Sequence, residues 1–382
     1  MPKRIGFLYE RLIDKEYIRE CIKIGVKKKK KSRYDISVVL NNVDEYVEKF
    51  YKKIKNYDYT PTVPKIKTIY DKCSRKERKL SIQPFNEDGI IHQMVTEQLK
   101  PIVMRSMYHW SCGSVPDRGG KRMLYYNKRM VQRKTKNSKY VAELDIRHYY
   151  PSISLKKVIS ALERKIKDRK FLVLVAIIIS NYQGGLKYAI ENNMSPYDIV
   201  GDKVGISIGA ITSQWIGNYY LEPLDRFICS LDGVYCHSRN MDNIIISARN
   251  KRKLHRALDA INEFMHDVLG VEMKGDWQIF RPNKRMVSTV GYRIGRDRVI
   301  MRKRNFLRLA RQSRRAKKLS RARKKIPVSM AQGLISRAGQ LKHCNGRNVF
   351  EKYIKPLGVK RLKNIIREDA RRRNAIMKGV TA

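Results

Sequence analysis

The sequence reads as a mixed fold of helices and short strands, packed as two or three subdomains, and three observations lead there. At 382 residues, with 42% apolar content, the chain has enough material to close more than one core. The hydrophobic pattern switches repeatedly between helical spacing and strict alternation. Proline and glycine breaks separate the periodic segments.

Residues 1–60 read as mostly helical, with a basic interruption at Lys27–Lys31 and then an amphipathic stretch from Val38 to Ile54. The two prolines of Thr60-Pro-Thr-Val-Pro64 break helix and mark a boundary. Arg78-Lys-Leu-Ser-Ile-Gln-Pro84 alternates as a short strand, and a helix follows from about Asn86 to Met104. Tyr140-Val-Ala-Glu-Leu-Asp-Ile146 reads as a buried strand ending in a carboxylate. Two helices are expected near 154–166 and 170–181, the second closed by Gly184-Gly185. One helix is expected from Thr212 to about Ser230, then two strands flanking Asn240-Met-Asp-Asn243. Lys251 to Leu269 reads as helical, with apolar residues at 254, 257, 258, 261, 264, 265 and 268. Strands are expected near 277–281, 287–294 and 298–301. No internal repeat is present.

Composition bounds the partners. The chain carries 84 Lys+Arg against 35 Asp+Glu, a formal net charge of +49. Such a surplus repels itself on compaction, so a polyanion that neutralises it is expected. Nucleic acid fits better than a membrane, because the charge is spread over the whole length. Between Asp297 and Glu351 there is no acidic residue, while Arg302 to Lys325 holds 13 Lys or Arg. Within that stretch Phe306, Leu307, Leu309, Ala310, Ala316 and Leu319 give one face enough apolar character to dock. The opposite face, with Arg311, Arg314, Arg315, Lys317 and Lys318, is expected to bind phosphates. Six cysteines occur without a CxxC pair, and Cys229, Cys236 and His237 lack a fourth ligand at zinc-like spacing, so reduced, unpaired thiols are expected. The N-terminus has no apolar signal core, and the longest apolar run, Phe171 to Ile179, has nine residues against the roughly 20 that span a bilayer. A soluble, cytoplasmic protein is the expectation.

Nucleotidyl transfer needs two divalent ions about 3.5–4 Å apart, held by carboxylates on neighbouring strands. Asp145, ending an apolar strand, and Asp242, between two strands about a hundred residues later, are candidates. Alone, each is an ordinary turn or capping residue. Their contexts say more. Glu143-Leu-Asp-Ile-Arg-His-Tyr-Tyr-Pro-Ser-Ile153 closely resembles motif A of reverse transcriptases. Ile208-Gly-Ala-Ile-Thr-Ser-Gln214, running on to Leu224-Asp225, resembles motif B. Asn240-Met-Asp-Asn243 stands where motif C, Tyr-x-Asp-Asp, belongs.

The resemblance extends from about residue 60 to 370 and implies a right-hand α+β polymerase fold. It divides the chain into an N-terminal basic helical extension (1–60), fingers (61–140), a palm with an antiparallel sheet (141–300, with finger–palm helices about 154–205), and a basic helical thumb and tail (301–382). It implies two Mg²⁺ ions, or Mn²⁺, on Asp145, Asp242 and the backbone carbonyl of Ile146. Arg78 and Lys79 would grip the incoming triphosphate, Tyr150 would act as steric gate against a ribose 2′-OH, and Ile208, Gly209 and Gln214 would border the nucleotide. Lys274, in the motif D position, would protonate the departing pyrophosphate. Gly291 and Tyr292, in Val290-Gly-Tyr-Arg293, resemble the primer grip. Partners would be template RNA, primer or cDNA, and dNTPs.

Among reverse transcriptases the chain most resembles those of diversity-generating retroelements, bacterial and phage enzymes that make error-prone cDNA from a template RNA. Ile208-Gly-x-x-x-Ser-Gln214, where most relatives have Gln-Gly-x-x-x-Ser-Pro, carries this narrower likeness, with Asn250-Lys-Arg-Lys-Leu-His255 and Trp277-Gln-Ile-Phe280. It implies a bacterial or phage-infected cell and a small helical accessory protein as partner. Some antiphage-defence reverse transcriptases share the Ser-Gln ending and are the alternative. A group II intron maturase is not expected, since nothing after about residue 370 reads as a DNA-binding or endonuclease domain. One departure stands out. Motif C has Asn240 for its tyrosine and Asn243 for its second aspartate, which implies weaker metal binding or, in a third reading, an inactive RNA-binding scaffold.

Overall fold

The computed structural model describes residues 4–27, 29–31, 33–71 and 76–379; Lys28 of the basic interruption and Cys73 lie outside them. The chain divides into two compact units. The first comprises Met1–Asp117, Leu144–Ile244 and Arg252–Trp277, the second Arg118–Glu143, Ile245–Lys251 and Gln278–Ala382.

The first unit opens with helices Leu8–Leu12, Lys15–Val26, Tyr34–Asn41 and Val43–Lys55. The carboxylate of Asp14 starts the second by accepting from the backbone N–H groups of Glu16 (2.8 Å) and Tyr17 (3.3 Å). The amphipathic stretch expected to run unbroken from Val38 to Ile54 is interrupted at Asn42. Its side chain donates to the Val38 carbonyl at 3.2 Å, and its own backbone leaves the helical region. Strands β1 (Lys65–Asp71) and β2 (Lys76–Ile82) form an antiparallel ribbon in register from Lys65↔Ile82 to Asp71↔Lys76. A π-turn at Phe85–Gly89 leads into the helix Ile90–Ser106, which packs on Ile211–Tyr220 and Lys15–Val26.

The apolar run reads correctly as a buried helix. In Arg169–Ser180 every residue from Phe171 to Ile178 is buried. Asp168 caps it through Phe171 N–H at 3.0 Å and with its other oxygen accepts from Leu8 and Tyr9 N–H, tying the N-terminus to this core. The helix closes at Asn181, in left-handed conformation (φ 50), with its N–H returned to Ile177; Gly184 instead precedes the next helix, Gly185–Glu191. The expected single helix from Thr212 to Ser230 is two, Ile211–Tyr220 and Glu222–Ser230. Pro223 lacks an N–H and fits only the first turn of a helix, so the chain breaks at Leu221.

A four-stranded sheet has the order β4-β5-β3-β6, from β3 (Tyr140–Asp145), β4 (Cys236–Asn240), β5 (Asn243–Ala248) and β6 (Gln278–Phe280). Strands β3 and β5 carry the chain from one unit to the other. In the second unit β6 runs antiparallel to β3 with Ala142 opposite Ile279. The strand expected over 287–294 is a hairpin, β7 (Val287–Thr289) and β8 (Tyr292–Ile294), reversed at Val290 (φ 36) and Gly291 (φ 91), and β9 (Val299–Met301) extends it. The helices Lys303–Arg321, Val328–Leu341, Arg347–Tyr353 and Val359–Gly379 close around Leu309, Ala316, Leu334, Leu341, Ile354 and Leu362. Leu309, Ala310 and Ala316 dock as the sequence suggests, whereas Leu307 faces away and is 38% exposed.

Candidate active site

The site belongs wholly to the first unit. β3 delivers Asp145 at its end, and the tight turn from β4 to β5 delivers Asp242 and Asn243. Met241 takes a left-handed conformation (φ 58) to make that turn. The two segments are locked together, since Ile146 N–H donates to the Asp242 carbonyl at 3.3 Å. A third segment arrives through an antiparallel bridge between Ile146 and Met273, and Lys274 N–H donates to the Asp145 carbonyl at 2.9 Å.

This backbone frame sets the charges. Lys274 Nζ forms an ion pair with Asp145 Oδ2. The other oxygen, Asp145 Oδ1, is buried and has no hydrogen-bond partner among the described residues. Burial, and then the nearby charge of Asp145, raise the Asp242 carboxyl above the usual carboxylate range, while the Asn243 amide and Lys274 work the other way. Asn243 is exposed and donates its Nδ2 to Asp242 Oδ1 at 2.9 Å. A buried, unpartnered carboxylate oxygen beside a second carboxylate that resists ionisation is an arrangement a divalent cation relieves, so the residues present fit such an ion. They supply two carboxylates, and among the described residues no group of three or more His, Cys, Asp or Glu side chains is placed to hold a metal.

A cleft of about 850 Å³ opens beside the carboxylates, lined by Arg78, Lys79 and Ser81 of β2, by 146–151, by Ile206 to Ile208, by Asp242 and by 273–276. Of the sequence-predicted residues, Arg78, Lys79, Ile146, Tyr150, Ile208, Asp242 and Lys274 therefore come together on one cleft. Tyr150 is half-buried, its ring edge-on to Tyr149 at 5.6 Å, and burial pushes its hydroxyl up to about 12. Ile208 is held to the ribbon by its carbonyl, which accepts from Ser81 N–H at 2.8 Å. Gly209 follows at φ +128, where a Cβ would stand 2.5 Å from the Ser81 carbonyl oxygen. Gln214 is exposed on the Ile211–Tyr220 helix and does not line this cleft.

The remaining predicted residues lie in the second unit. Gly291 forms the β7–β8 turn, and the Tyr292 hydroxyl donates to the Gln340 carbonyl at 3.1 Å. Arg311, Arg314, Arg315 and Lys318 are exposed on Lys303–Arg321, whereas Lys317 is half-buried with Nζ on the Lys352 carbonyl at 3.1 Å.

Sequence reasoning missed the polar cluster beneath the turn. Asn218, Asp225, His237 and Arg239 are each at most 1% exposed. Burial opposes ionisation of Asp225, but Arg239 and His237 outweigh it and hold the carboxyl below its usual range. The available signal was a charged residue in the middle of a segment, Cys236 to Asn240, that otherwise had to be a buried strand.

The profile of the family described as reverse transcriptase (RNA-dependent DNA polymerase) matches residues 63–276, more than half of the chain and the span that holds both aspartates and the cleft. This chain belongs to the reverse transcriptase family. Its α+β fold is accordingly the right-hand polymerase fold, with Asp145 at the end of β3 and Asp242 in the β4–β5 turn. An uncharacterized 91 kDa protein in a cob intron of Schizosaccharomyces pombe is 28% identical over 189 residues, 49% of this chain and 21% of that protein. Among solved structures, telomerase from Candida tropicalis aligns at 12% identity and TM-score 0.43, over 62% of this chain and 54% of that one. Telomerase from Candida albicans, solved with a telomeric RNA fragment, aligns at 9% and 0.44, over 82% and 58%. The chain thus spans about a fifth of the intron protein and somewhat over half of each telomerase chain. Among the described residues no helix is long and apolar enough to cross a membrane.

Proposed function

We propose that this chain is an RNA-directed DNA polymerase that copies a template RNA into error-prone cDNA within a diversity-generating retroelement of a bacterial or phage-infected cell. The observation that carries the polymerase reading is the convergence of Asp242, Lys274, Arg78, Lys79, Tyr150 and Ile208 on one cleft, with Asp145 paired to Lys274 at its edge. Family membership supports the same chemistry. What supports the narrower role is Ile208, an apolar side chain at the cleft where most reverse transcriptases place a hydrogen-bonding glutamine, together with the Ser213-Gln214 ending.

Divalent ions held by Asp145, Asp242 and the Ile146 carbonyl would supply the Lewis acidity that activates a primer 3′-hydroxyl and neutralises the leaving pyrophosphate. The chain's own residues do the rest. Arg78 and Lys79, exposed on β2, meet the triphosphate with positive charge. The Tyr150 ring fills the space a 2′-hydroxyl would need. Lys274 is held on Asp145 in this structure; released from it, its ammonium would donate a proton to the departing pyrophosphate. Template RNA and primer are held by the dispersed basic surface, and a small helical accessory protein is a further partner.

Single substitutions Asp145→Ala and Asp242→Ala test this reading. Each should abolish dNTP incorporation and leave RNA affinity nearly unchanged, because the chemistry needs carboxylate charge while RNA needs only the basic surface. Substantial polymerisation by either variant would remove these residues from the reaction. For the narrower role, the DNA beside the gene should contain a template repeat matching a variable repeat except at adenines. Its absence, with errors spread equally over the four template bases, would point to the antiphage-defence class instead.

A further inference from the structure

Arg239 is a fully buried guanidinium three residues before Asp242, and every one of its N–H groups is used. Nε donates to both oxygens of Asp225, at 2.9 and 3.0 Å, and Nη2 to Asp225 Oδ2 at 2.5 Å and the Asn218 carbonyl at 3.2 Å. Nη1 donates to Asn218 Oδ1 at 3.3 Å and to the carbonyl of Met241 at 3.2 Å. A guanidinium has five N–H donors in a fixed plane, and no other side chain could satisfy this set. The contact to Met241 is the informative one, because Met241 is the left-handed residue that makes the turn carrying Asp242.

The same turn is gripped from a second side. Arg239 and the Trp110–Cys112 segment exchange backbone hydrogen bonds, Arg239 N–H to the Trp110 carbonyl at 3.0 Å and Cys112 N–H to the Arg239 carbonyl at 2.8 Å. Asn218 Nδ2 donates to the Gly113 carbonyl at 2.6 Å, and a Cβ on Gly113 would come within 2.6 Å of the Met241 nitrogen. His237 closes the cluster against Asp225 at 3.2 Å and stacks on Tyr108 with ring centres 4.1 Å apart.

Resting on the proposed role of Asp242, we infer that Arg239 is a positioning residue for the metal site: its guanidinium fixes the Met241 carbonyl, and with it the strained turn that aims the Asp242 carboxylate. Asp225 is the counter-charge that allows Arg239 to be buried there, and Asn218 and Gly113 complete the clamp. Among the described residues no third carboxylate joins Asp145 and Asp242 in a group placed to hold a metal, so the aim of each matters more. Groups that orient metal ligands without touching the metal change affinity by roughly 10- to 100-fold when altered.

The test compares wild-type protein with Arg239→Lys and with the double variant Asp225→Leu/Arg239→Met. Direct binding of Mn²⁺ (by electron paramagnetic resonance), half-saturating Mg²⁺ for dNTP incorporation, template–primer affinity and the thermal midpoint are read for each. Arg239→Lys keeps the charge but loses the planar fork, so Mn²⁺ binding should weaken by roughly 10- to 100-fold with template–primer affinity within about twofold of wild type. Should Arg239→Lys fail to fold, the double variant carries the test, because it removes both buried charges together and spares the fold an unpaired one. Its thermal midpoint should return toward wild type while its metal affinity should not. Recovery of metal binding along with stability, or wild-type Mn²⁺ affinity in Arg239→Lys, would overturn the inference and leave the polymerase reading intact. A wild-type protein that binds no Mn²⁺ and makes no DNA would overturn the polymerase reading itself, and this inference with it.

Discussion

At Asn243 a single atom type changes the electrostatics of the site. An aspartate there would face Asp242 as a third anion; the amide instead donates to Asp242 Oδ1 at 2.9 Å and lowers the cost of keeping that carboxylate ionised without metal. The side chain is exposed, so an added charge acts through nearly water-like surroundings, where one unit charge at about 4 Å is worth about 1 kcal/mol. Against a divalent ion that doubles to about 2 kcal/mol, so Asn243→Asp should lower the half-saturating Mg²⁺ concentration by up to roughly 30-fold. A Mg²⁺ titration of incorporation by both proteins decides it, and equal or higher demand in the variant would mean that this position is too far from the ions to matter. The departure from Asp to Asn was legible in the sequence. That the amide points its N–H at Asp242 was not, because hydrogen-bond direction depends on where the turn places the neighbouring carboxylate.

At the scale of elements, the ribbon β1–β2 and the 206–209 loop form one wall through backbone contacts. Ser81 N–H meets the Ile208 carbonyl, and the Gly209 α-carbon lies so close to the Ser81 carbonyl that a Cβ would stand 2.5 Å away. Gly209 also holds φ +128, a conformation that costs a residue with a side chain of order 1–3 kcal/mol. Gly209→Ala should push the loop off β2 and raise KM for dNTP by roughly five- to 100-fold, with smaller change in kcat. Steady-state kinetics over a dNTP range would show it, and an unaltered KM would take this loop out of the nucleotide pocket. Sequence patterning placed β2 to within two residues but gave no strand for β1, and it could not pair the ribbon with the loop, since they are more than a hundred residues apart and neither carries a local signal for the other. The same limit explains the helix read as continuous from Thr212 to Ser230. Its apolar period continues across the break, and only the missing N–H of Pro223 marks it.

Over the whole molecule the net charge of +49 is the dominant property, and the Lys303–Arg321 helix shows how it is deployed. One face is docked through Leu309, Ala310 and Ala316, which leaves Arg311, Arg314, Arg315 and Lys318 in solvent. Neutralising three of these four should weaken template–primer binding about equally for all sequences. For every phosphate that goes unneutralised, the slope of log K against log salt should become shallower by roughly 0.7–0.9. Lys317 should behave differently, because its ammonium is engaged with the Lys352 carbonyl and its removal would loosen helix packing more than RNA binding. Filter binding across a salt series separates the two, and an unchanged slope in the triple variant would return this face to ordinary solvation.

By itself the sequence determined the family, because three long motifs in register are local patterns that survive without coordinates, and the same motifs nominate the residues proposed to bear the chemistry. The nucleic-acid partner proposed above also rests on the sequence, since net charge is a sum over residues and independent of how they fold. Tertiary structure alone decided what those residues do to one another. It set Lys274 on Asp145, left Asp145 Oδ1 buried without a partner among the described residues, kept Gln214 off the cleft, and buried Arg239 with Asp225 beneath the turn of Asp242. Each of these depends on distances between segments far apart in the chain, and in a low-dielectric interior such distances, rather than residue identities, fix the energy of a charge.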